Sequence, residues 1–163
     1  MEFEEVTLPD EKAVKELSEM ASAIVKEYYD PIIGAMQNDY MIEKFQSVPA
    51  IKRQLSKGYR YYMVRMGEDR IGFIAFYPRG SAMYLSKLYL YKRERGKGYA
   101  RPILDFVIAA AKAEGLTAIE LNVNRNNDTV HIYEKLGFEV LREEKNDIGN
   151  GFFMDDFVYQ LCF

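Results

Sequence analysis

The spacing of hydrophobic residues changes along the first half of the chain from a helical period to a strand period. Over residues 11–29, apolar residues recur at three- and four-residue spacing, which predicts an amphipathic helix packed on a sheet. The pattern weakens over residues 30–54, where prolines and a glycine interrupt it, so one or two short helices are expected there. Three strand-like runs separated by turns follow at residues 59–66, 71–78 and 82–91.

The second half of the chain alternates between helix and strand patterns. A helical pattern begins at Pro102 and stops at Gly115, and residues 117–124 then alternate cleanly between apolar and polar positions. Strand, turn, helix and strand in this order form a βαβ unit, whose two strands should be parallel. A short helix is expected over residues 127–136, and strands over residues 138–142 and 152–163.

Composition limits the class of protein. The chain has 163 residues, of which 48% are hydrophobic, so one domain over residues 1–163 is expected. The formal charge of −3 argues against nucleic acid as a partner. A single cysteine, Cys162, excludes an intrachain disulfide and makes a cysteine metal cluster implausible, so no metal is expected and a cytoplasmic location fits. Neither an apolar signal-peptide core nor a membrane-length apolar run is present, which predicts a soluble protein.

The turn between the third strand and the following helix has the composition of an anion site. Small residues let backbone N–H groups approach a phosphate, and the start of a helix favours negative charge. Two cations stand beside the glycines of this turn, although a plain tight turn is the alternative reading. The residues are Arg95, Gly96, Lys97, Gly98, Tyr99 and Ala100.

A second signal follows about 30 residues later. Asn126 precedes a helical segment with Tyr133, and the sequence Leu136-Gly137-Phe138 ends it. Together with the glycine turn, these residues resemble the GCN5-related N-acetyltransferase (GNAT) superfamily, whose acetyl-coenzyme A signature matches Arg95, Gly98 and Ala100. The residues 147–156 are also similar to the tail of bacterial polyamine-type N-acetyltransferases.

The resemblance implies an α/β (α+β) acyl-coenzyme A N-acyltransferase fold: a mixed, mostly antiparallel sheet with a splayed central parallel pair, flanked by helices. It further implies that acetyl-coenzyme A is the co-substrate. The backbone N–H groups of residues 96–100 would bind its pyrophosphate, rimmed by Arg95, Lys97 and Tyr99. Its pantetheine arm would pair with the strand segment Leu88, Tyr89 and Leu90, and would reach Asn126 and Tyr133, which seven-residue helical spacing would put on one face.

The same resemblance implies direct transfer of acetyl to a neutral amine, with Tyr133 protonating the departing thiolate. Many members of the family carry a glutamate four residues before the leucine that matches Leu88, but here that position is Tyr84. The general base is therefore unassigned. A water chain could remove the proton instead, ordered by Tyr84, Ser86, Asn122 or Asn124, or ended by Asp155 or Asp156. The expected substrate-binding residues are Tyr84, Ser86, Asn124 and Asp155.

The expected acceptor is a primary amine, either a small amine such as a polyamine or a peptide N-terminus. Without the strand glutamate, a non-catalytic module that binds or senses acyl-coenzyme A is the alternative. A nucleotide-triphosphate cradle is a weaker one, because the loop lacks the Gly-Lys-Ser/Thr ending. Exposed edge strands in such a sheet make a homodimer possible.

Overall fold

The computed structural model describes all 163 residues as seven strands, five α-helices and one 3₁₀ turn. The hydrogen-bonded strand order is β1-β2-β3-β4-β5-β7-β6, with β4 and β5 parallel, which confirms the predicted mixed, mostly antiparallel fold. The elements are β1 (Glu2–Val6), α1 (Glu11–Ile33), α2 (Ala35–Gln46), α3 (Val48–Ser56), β2 (Arg60–Met66), β3 (Asp69–Arg79), β4 (Ala82–Leu90), the 3₁₀ turn Lys92–Glu94, α4 (Ala100–Ala113), β5 (Ala118–Asn124), α5 (Val130–Lys135), β6 (Glu139–Gly149) and β7 (Phe152–Cys162).

The chain divides into two compact units. The N-terminal unit comprises Met1–Tyr77 and Lys87–Tyr99, and the C-terminal unit comprises Pro78–Ser86 and Ala100–Phe163. The strand β4 supplies residues to both.

The core of the N-terminal unit is built on one face of α1. Its buried residues recur at helical spacing and cluster with Tyr61 and Met63 of β2 and Phe73 of β3. Each fully buried large apolar side chain contributes about 1.5–3 kcal/mol relative to an exposed one. The buried residues of α1 are Val14, Leu17, Ser18, Met20, Ala21, Ile24 and Val25.

Helix α1 continues beyond the predicted end at residue 29. It accommodates Pro31 in its last turn and ends at Ile33, because Gly34 adopts a φ of 88° that takes the chain out of the helix. The predicted short helices are confirmed as α2 and α3, and the fully buried Asn38 of α2 donates to the Val25 carbonyl at 3.0 Å.

Strand β1 was not predicted, because its sequence lacks an apolar run. Of its residues only Val6 is buried, and three are glutamates. It pairs antiparallel with β2, where Glu4 lies opposite Met63 and forms an ion pair with Arg65 at 2.9 Å. Pairing with a distant strand, rather than local pattern, therefore defines β1.

The C-terminal unit contains the predicted βαβ arrangement. Strand β4 pairs with β5 in parallel from Ala82↔Ala118 to Tyr84↔Glu120, and α4 packs against β5. The strand predicted over residues 138–142 runs on to Gly149, because β6 forms a long antiparallel hairpin with β7. No helix of the structure is both long and apolar enough to cross a membrane.

Candidate active site

The turn before α4 adopts the conformation that its glycines permit. Gly96 and Gly98 have φ angles of 76° and 79°, a region that favours glycine. A Cβ atom at either position would meet nothing within 4 Å, so the glycines are required by backbone conformation and not by space.

The backbone amides of this turn indicate a binding site for an anionic ligand. Gly96, Lys97, Gly98 and Tyr99 donate no hydrogen bond to another backbone carbonyl, and α4 begins at the next residue, Ala100. Successive N–H groups in a turn with positive φ angles form a concave anion-binding surface, and the start of a helix adds partial positive charge. The turn therefore fits a phosphate-bearing group.

The two cations of the turn already contact protein groups. The Arg95 guanidinium donates from Nε to the Leu90 carbonyl at 3.2 Å and lies 4.2 Å from the centre of the Tyr28 ring. Its Nη2 atom is buried without a hydrogen-bond partner. Lys97 is half-exposed and forms an ion pair with Glu94 at 3.2 Å. Arg95 thus ties the turn to the end of β4, while Lys97 lies at the surface.

The end of β4 is held closely against β3. A Cβ atom on Gly72 would lie 2.1 Å from the Tyr89 carbonyl oxygen and 3.0 Å from the Leu90 Cα atom, so only glycine fits there. Parallel pairing of β4 with β5 stops at Tyr84↔Glu120, although both strands continue beyond these residues. The segment of residues 88–90 is half-buried.

In the C-terminal unit, a chain of polar side chains begins at Tyr84, where the parallel pairing of β4 and β5 ends. The Tyr84 hydroxyl donates to Asn122 Oδ1 at 2.8 Å. The Asn122 amide nitrogen donates in turn to Asp156 Oδ2 at 3.2 Å and to Glu144 Oε1 at 3.4 Å. Three residues that the sequence only suggested, Tyr84, Asn122 and Asp156, are therefore brought together.

The two neighbouring aspartates of β7 occupy different environments. Asp156 is 2% exposed, and burial raises its pKa despite the hydrogen bond from Asn122. The carboxylate of Glu144, directly opposite on β6, acts in the same direction. Asp155 is instead 44% exposed and forms an ion pair with Arg125 at 3.1 Å. The sequence favoured Asp155 as a substrate ligand, whereas only Asp156 belongs to the polar chain.

The prediction that Asn126 and Tyr133 share one helical face was wrong. Helix α5 begins only at Val130, and Asn126 lies in the preceding turn. Side chains cap this turn: Asn124 Oδ1 accepts from the Asn126 amide at 2.9 Å, and Asn127 Oδ1 accepts from the Thr129 amide at 3.0 Å. Such capping competes with helix formation, which explains the later start.

Tyr133 lies on α5 with its ring against Phe138, the centroids being 5.6 Å apart and the planes nearly perpendicular. Its neighbour Glu134 accepts a hydrogen bond from the Tyr159 hydroxyl at 3.0 Å, which ties α5 to β7. Ser86 lies on the same face of β4 as Tyr84, as strand alternation requires.

The sequence did not predict the notable environments of two residues, Glu144 and Lys87. Glu144 gives no local signal, since charged residues surround it on β6. Lys87 is 5% exposed and is the one charged residue of β4, so a lysine in an otherwise uncharged strand was the available signal.

The family model of the acetyltransferase (GNAT) domain matches residues 32–154 of the chain. The protein therefore belongs to the GNAT acetyltransferase family, and the predictions of the family and of an acetyl-transferring enzyme are confirmed. No curated protein matches the sequence significantly.

Solved structures share the fold at low sequence identity. The PaiA N-acetyltransferase of Thermoplasma acidophilum, in complex with coenzyme A, is 20% identical with a TM-score of 0.78, and 100% of each chain is covered. A GCN5-related N-acetyltransferase from Rhodopseudomonas palustris is 13% identical with a TM-score of 0.80, covering 99% of this chain and 95% of that one. A GNAT acetyltransferase of Elizabethkingia anophelis with acetyl-coenzyme A bound is 18% identical with a TM-score of 0.61, covering 72% and 84%.

Proposed function

We propose that this enzyme transfers the acetyl group of acetyl-coenzyme A to the nitrogen of a primary amine. The observation that carries the proposal is the turn at Gly96 and Gly98, whose amides have no backbone acceptor and whose positive φ angles are typical of turns that bind anions. Family membership supports it, as do two structural neighbours, one solved with coenzyme A and one with acetyl-coenzyme A.

We assign the cofactor contacts as the family resemblance implies. The amides of Gly96, Lys97, Gly98, Tyr99 and Ala100 would hold the pyrophosphate, with Arg95, Lys97 and Tyr99 at the rim of the turn. The backbone of Leu88, Tyr89 and Leu90 would bind the pantetheine arm by strand addition, with Asn126 as a further polar contact.

The protein must assist three steps of the reaction. The amine must lose a proton, the thioester carbonyl oxygen must be stabilised as it gains charge, and the leaving thiolate must gain a proton. A backbone N–H of residues 88–90 is the candidate to stabilise the carbonyl oxygen, and the Tyr133 hydroxyl is the candidate to protonate the thiolate. Since tyrosine has a pKa of about 10 and a thiol one of about 8.5, this proton transfer is uphill by about 2 kcal/mol unless it accompanies bond breaking.

For removal of the amine proton we propose the polar chain that ends at Asp156. Its carboxylate is buried and hydrogen-bonded through Asn122 to Tyr84, the last residue of β4 that pairs with β5. A raised pKa brings a carboxylate closer to the pKa range of an efficient general base. Asp156 would accept the proton through ordered water, since an amide such as that of Asn122 orients groups but does not itself carry protons.

The same chain favours a cationic acceptor. Glu144 and Asp156 lie directly opposite each other and share the Asn122 amide as their common donor. Carboxylates directly opposite each other repel, and Arg142, which forms an ion pair with Glu144 at 3.1 Å, offsets only part of this negative charge. An amine that arrives as its ammonium form would offset the remaining negative charge, which supports a cationic amine such as a polyamine or a peptide N-terminus as the acceptor.

The direct test is release of free thiol from acetyl-coenzyme A in the presence of polyamines, amino acids or short peptides, with mass spectrometry of the acceptor. We expect an acetylated amine for one acceptor class. Tyr133→Phe should lower kcat by about 100-fold and leave KM for acetyl-coenzyme A nearly unchanged. Cofactor binding without acceptor-dependent thiol release in all classes would contradict the proposed reaction.

A further inference from the structure

Lys87 has an unusual environment within the N-terminal unit. Its side chain is buried, and its Nζ atom has four oxygen partners, none of them a carboxylate. They are the Phe45 carbonyl at 2.6 Å, Gln46 Oε1 at 2.9 Å, Gln54 Oε1 at 3.1 Å and the Tyr61 hydroxyl at 2.5 Å. We call these four oxygens the Lys87 cage.

The Lys87 cage is complementary to the charged form of the lysine. An ammonium group has three N–H donors, and the Tyr61 hydroxyl supplies a fourth by donating to Gln54 Oε1. Four donors then serve four acceptor oxygens. A neutral amine has only two N–H donors, so one buried oxygen would lose its partner, which costs about 1–3 kcal/mol.

The Lys87 cage connects β4 to three other elements. Phe45 and Gln46 are the last residues of α2, so the ammonium group lies at the negative end of that helix and satisfies one of its terminal carbonyls. Gln54 belongs to α3, and Tyr61 to β2. Lys87 therefore fixes β4 against the junction of α2 and α3.

This attachment lies directly before the segment of residues 88–90. On the β3 side, the same segment is held by its close approach to Gly72. The centres of the Tyr89 ring and of the Phe73 ring of β3 lie 5.5 Å apart. Lys87 and Gly72 thus restrict the backbone of a short segment to one position, and preorganisation of this kind reduces the cost of binding a ligand.

We propose that Lys87 is a positioning residue whose ammonium group, held in its cage, keeps residues 88–90 in the conformation that receives the pantetheine arm of acetyl-coenzyme A. This inference rests on the proposed function. Loss of the proton releases one connection of β4 and weakens cofactor binding.

The cage predicts a pH dependence near neutrality. Burial lowers the pKa of Lys87 to about 7. The groups that face it from α2 and α3 are uncharged, and Tyr61, which faces it from β2, has a pKa raised well above its usual value by burial and by Tyr59. The lysine is therefore the group of the cage that titrates in this range.

The test is calorimetric binding of acetyl-coenzyme A, whose thioester has no titrating thiol, at about pH 6 and about pH 8.5. The wild type should bind about tenfold more weakly at the higher pH, because the ammonium is lost there. Lys87→Met should bind about tenfold more weakly than the wild type at the lower pH and show no such fall. The exposed Lys15→Met, which removes the same formal charge, should follow the wild type.

A second variant separates the charge from the shape of the cage. Gln46→Glu puts a carboxylate of the same size beside the ammonium, which should raise the pKa of Lys87 and move the fall in affinity upward by at least about one pH unit. A purely structural role for Lys87 would leave this midpoint unchanged. This variant also keeps the test decisive should Lys87→Met fail to fold.

The outcomes distinguish the two proposals. A wild type that binds acetyl-coenzyme A with the same affinity at both pH values, or a Gln46→Glu variant whose profile does not move, would overturn the role of Lys87 alone. A folded wild type that does not bind acetyl-coenzyme A even at the lower pH would overturn the proposed function, and the role of Lys87 with it.

Discussion

At the scale of single residues, burial separates the roles of chemically identical side chains. Asp155 and Asp156 are neighbours on β7, yet one forms a surface ion pair with Arg125 and the other is buried, accepts a hydrogen bond from Asn122 and lies opposite Glu144. A surface ion pair contributes about 0–1 kcal/mol to stability. A buried carboxylate facing a second carboxylate costs stability, and such a cost is typical of functional sites.

Asp156→Asn should lower kcat/KM by about 100-fold at neutral pH without destabilising the fold. Because burial raises the pKa of Asp156, its contribution to stability is full below the ordinary aspartate pKa and is lost as the pH rises through the raised value. The asparagine removes this loss, so its free energy of unfolding at neutral pH should equal or exceed that of the wild type, and the difference should shrink in acid.

Asp155→Asn is the matched control. Arg125 keeps its ion pair with Glu143 at 2.9 Å in this variant, so both activity and stability should stay close to the wild type. Equal activity losses in the two variants, measured by thiol release, would refute the assignment of Asp156. Denaturant unfolding at acidic and neutral pH checks the stability half of the prediction.

At the scale of elements, the close approach of β3 and β4 defines the segment assigned to the cofactor. Gly72 is the point of contact, since a Cβ atom there would lie within 2.1 Å of a backbone oxygen, which cannot rotate away. The turn at Gly96 and Gly98 requires glycine for a different reason. Both residues have positive φ angles, and a Cβ atom at either would meet nothing within 4 Å. The two kinds of glycine can therefore be distinguished by mutation.

Gly72→Ala should lower the free energy of unfolding by about 1–3 kcal/mol or more and weaken acetyl-coenzyme A binding, because β4 must move to admit the methyl group. Gly58→Ala is the control, since Gly58 has a φ of 101° but nothing within 4 Å. It should lose stability through backbone strain alone and retain binding. Gly72→Ala that binds the cofactor as tightly as this control would show that the position of residues 88–90 is not critical.

The elements differ in how far the sequence predicts them. The amphipathic α1 and the βαβ arrangement follow from hydrophobic period, and the glycine turn follows from composition. Strand β1 could not be predicted, because its partner β2 lies more than 50 residues away and its own residues are mostly polar. The late start of α5 depends on side-chain caps by Asn124 and Asn127, which compete with a helical pattern that the sequence does contain. The burial of Asp156 beside Asn122, rather than of Asp155, depends on strand register, which the sequence does not specify.

At the scale of the whole molecule, we propose that residues 1–163 form a single N-acetyltransferase domain. Strand β4 supplies its residues up to Ser86 to one unit and its residues from Lys87 onward to the other, so neither unit can keep this strand if the other unfolds. Thermal unfolding followed by calorimetry should therefore show one transition with equal calorimetric and van't Hoff enthalpies. Two resolved transitions would contradict the single domain. The possible homodimer stays a prediction that sedimentation can check.

The most direct test of the central claim is calorimetric titration of acetyl-coenzyme A into the wild type, Gly98→Ala and Gly115→Ala. The two glycines have φ angles of 79° and 74°, and a Cβ atom at either would meet nothing within 4 Å, so both variants carry the same kind of backbone strain. We expect binding by the wild type and by Gly115→Ala, and a loss of about tenfold or more for Gly98→Ala because its turn can no longer present its amides. Equal binding by all three proteins, or none by the wild type, would contradict the assignment of the glycine turn as the cofactor site.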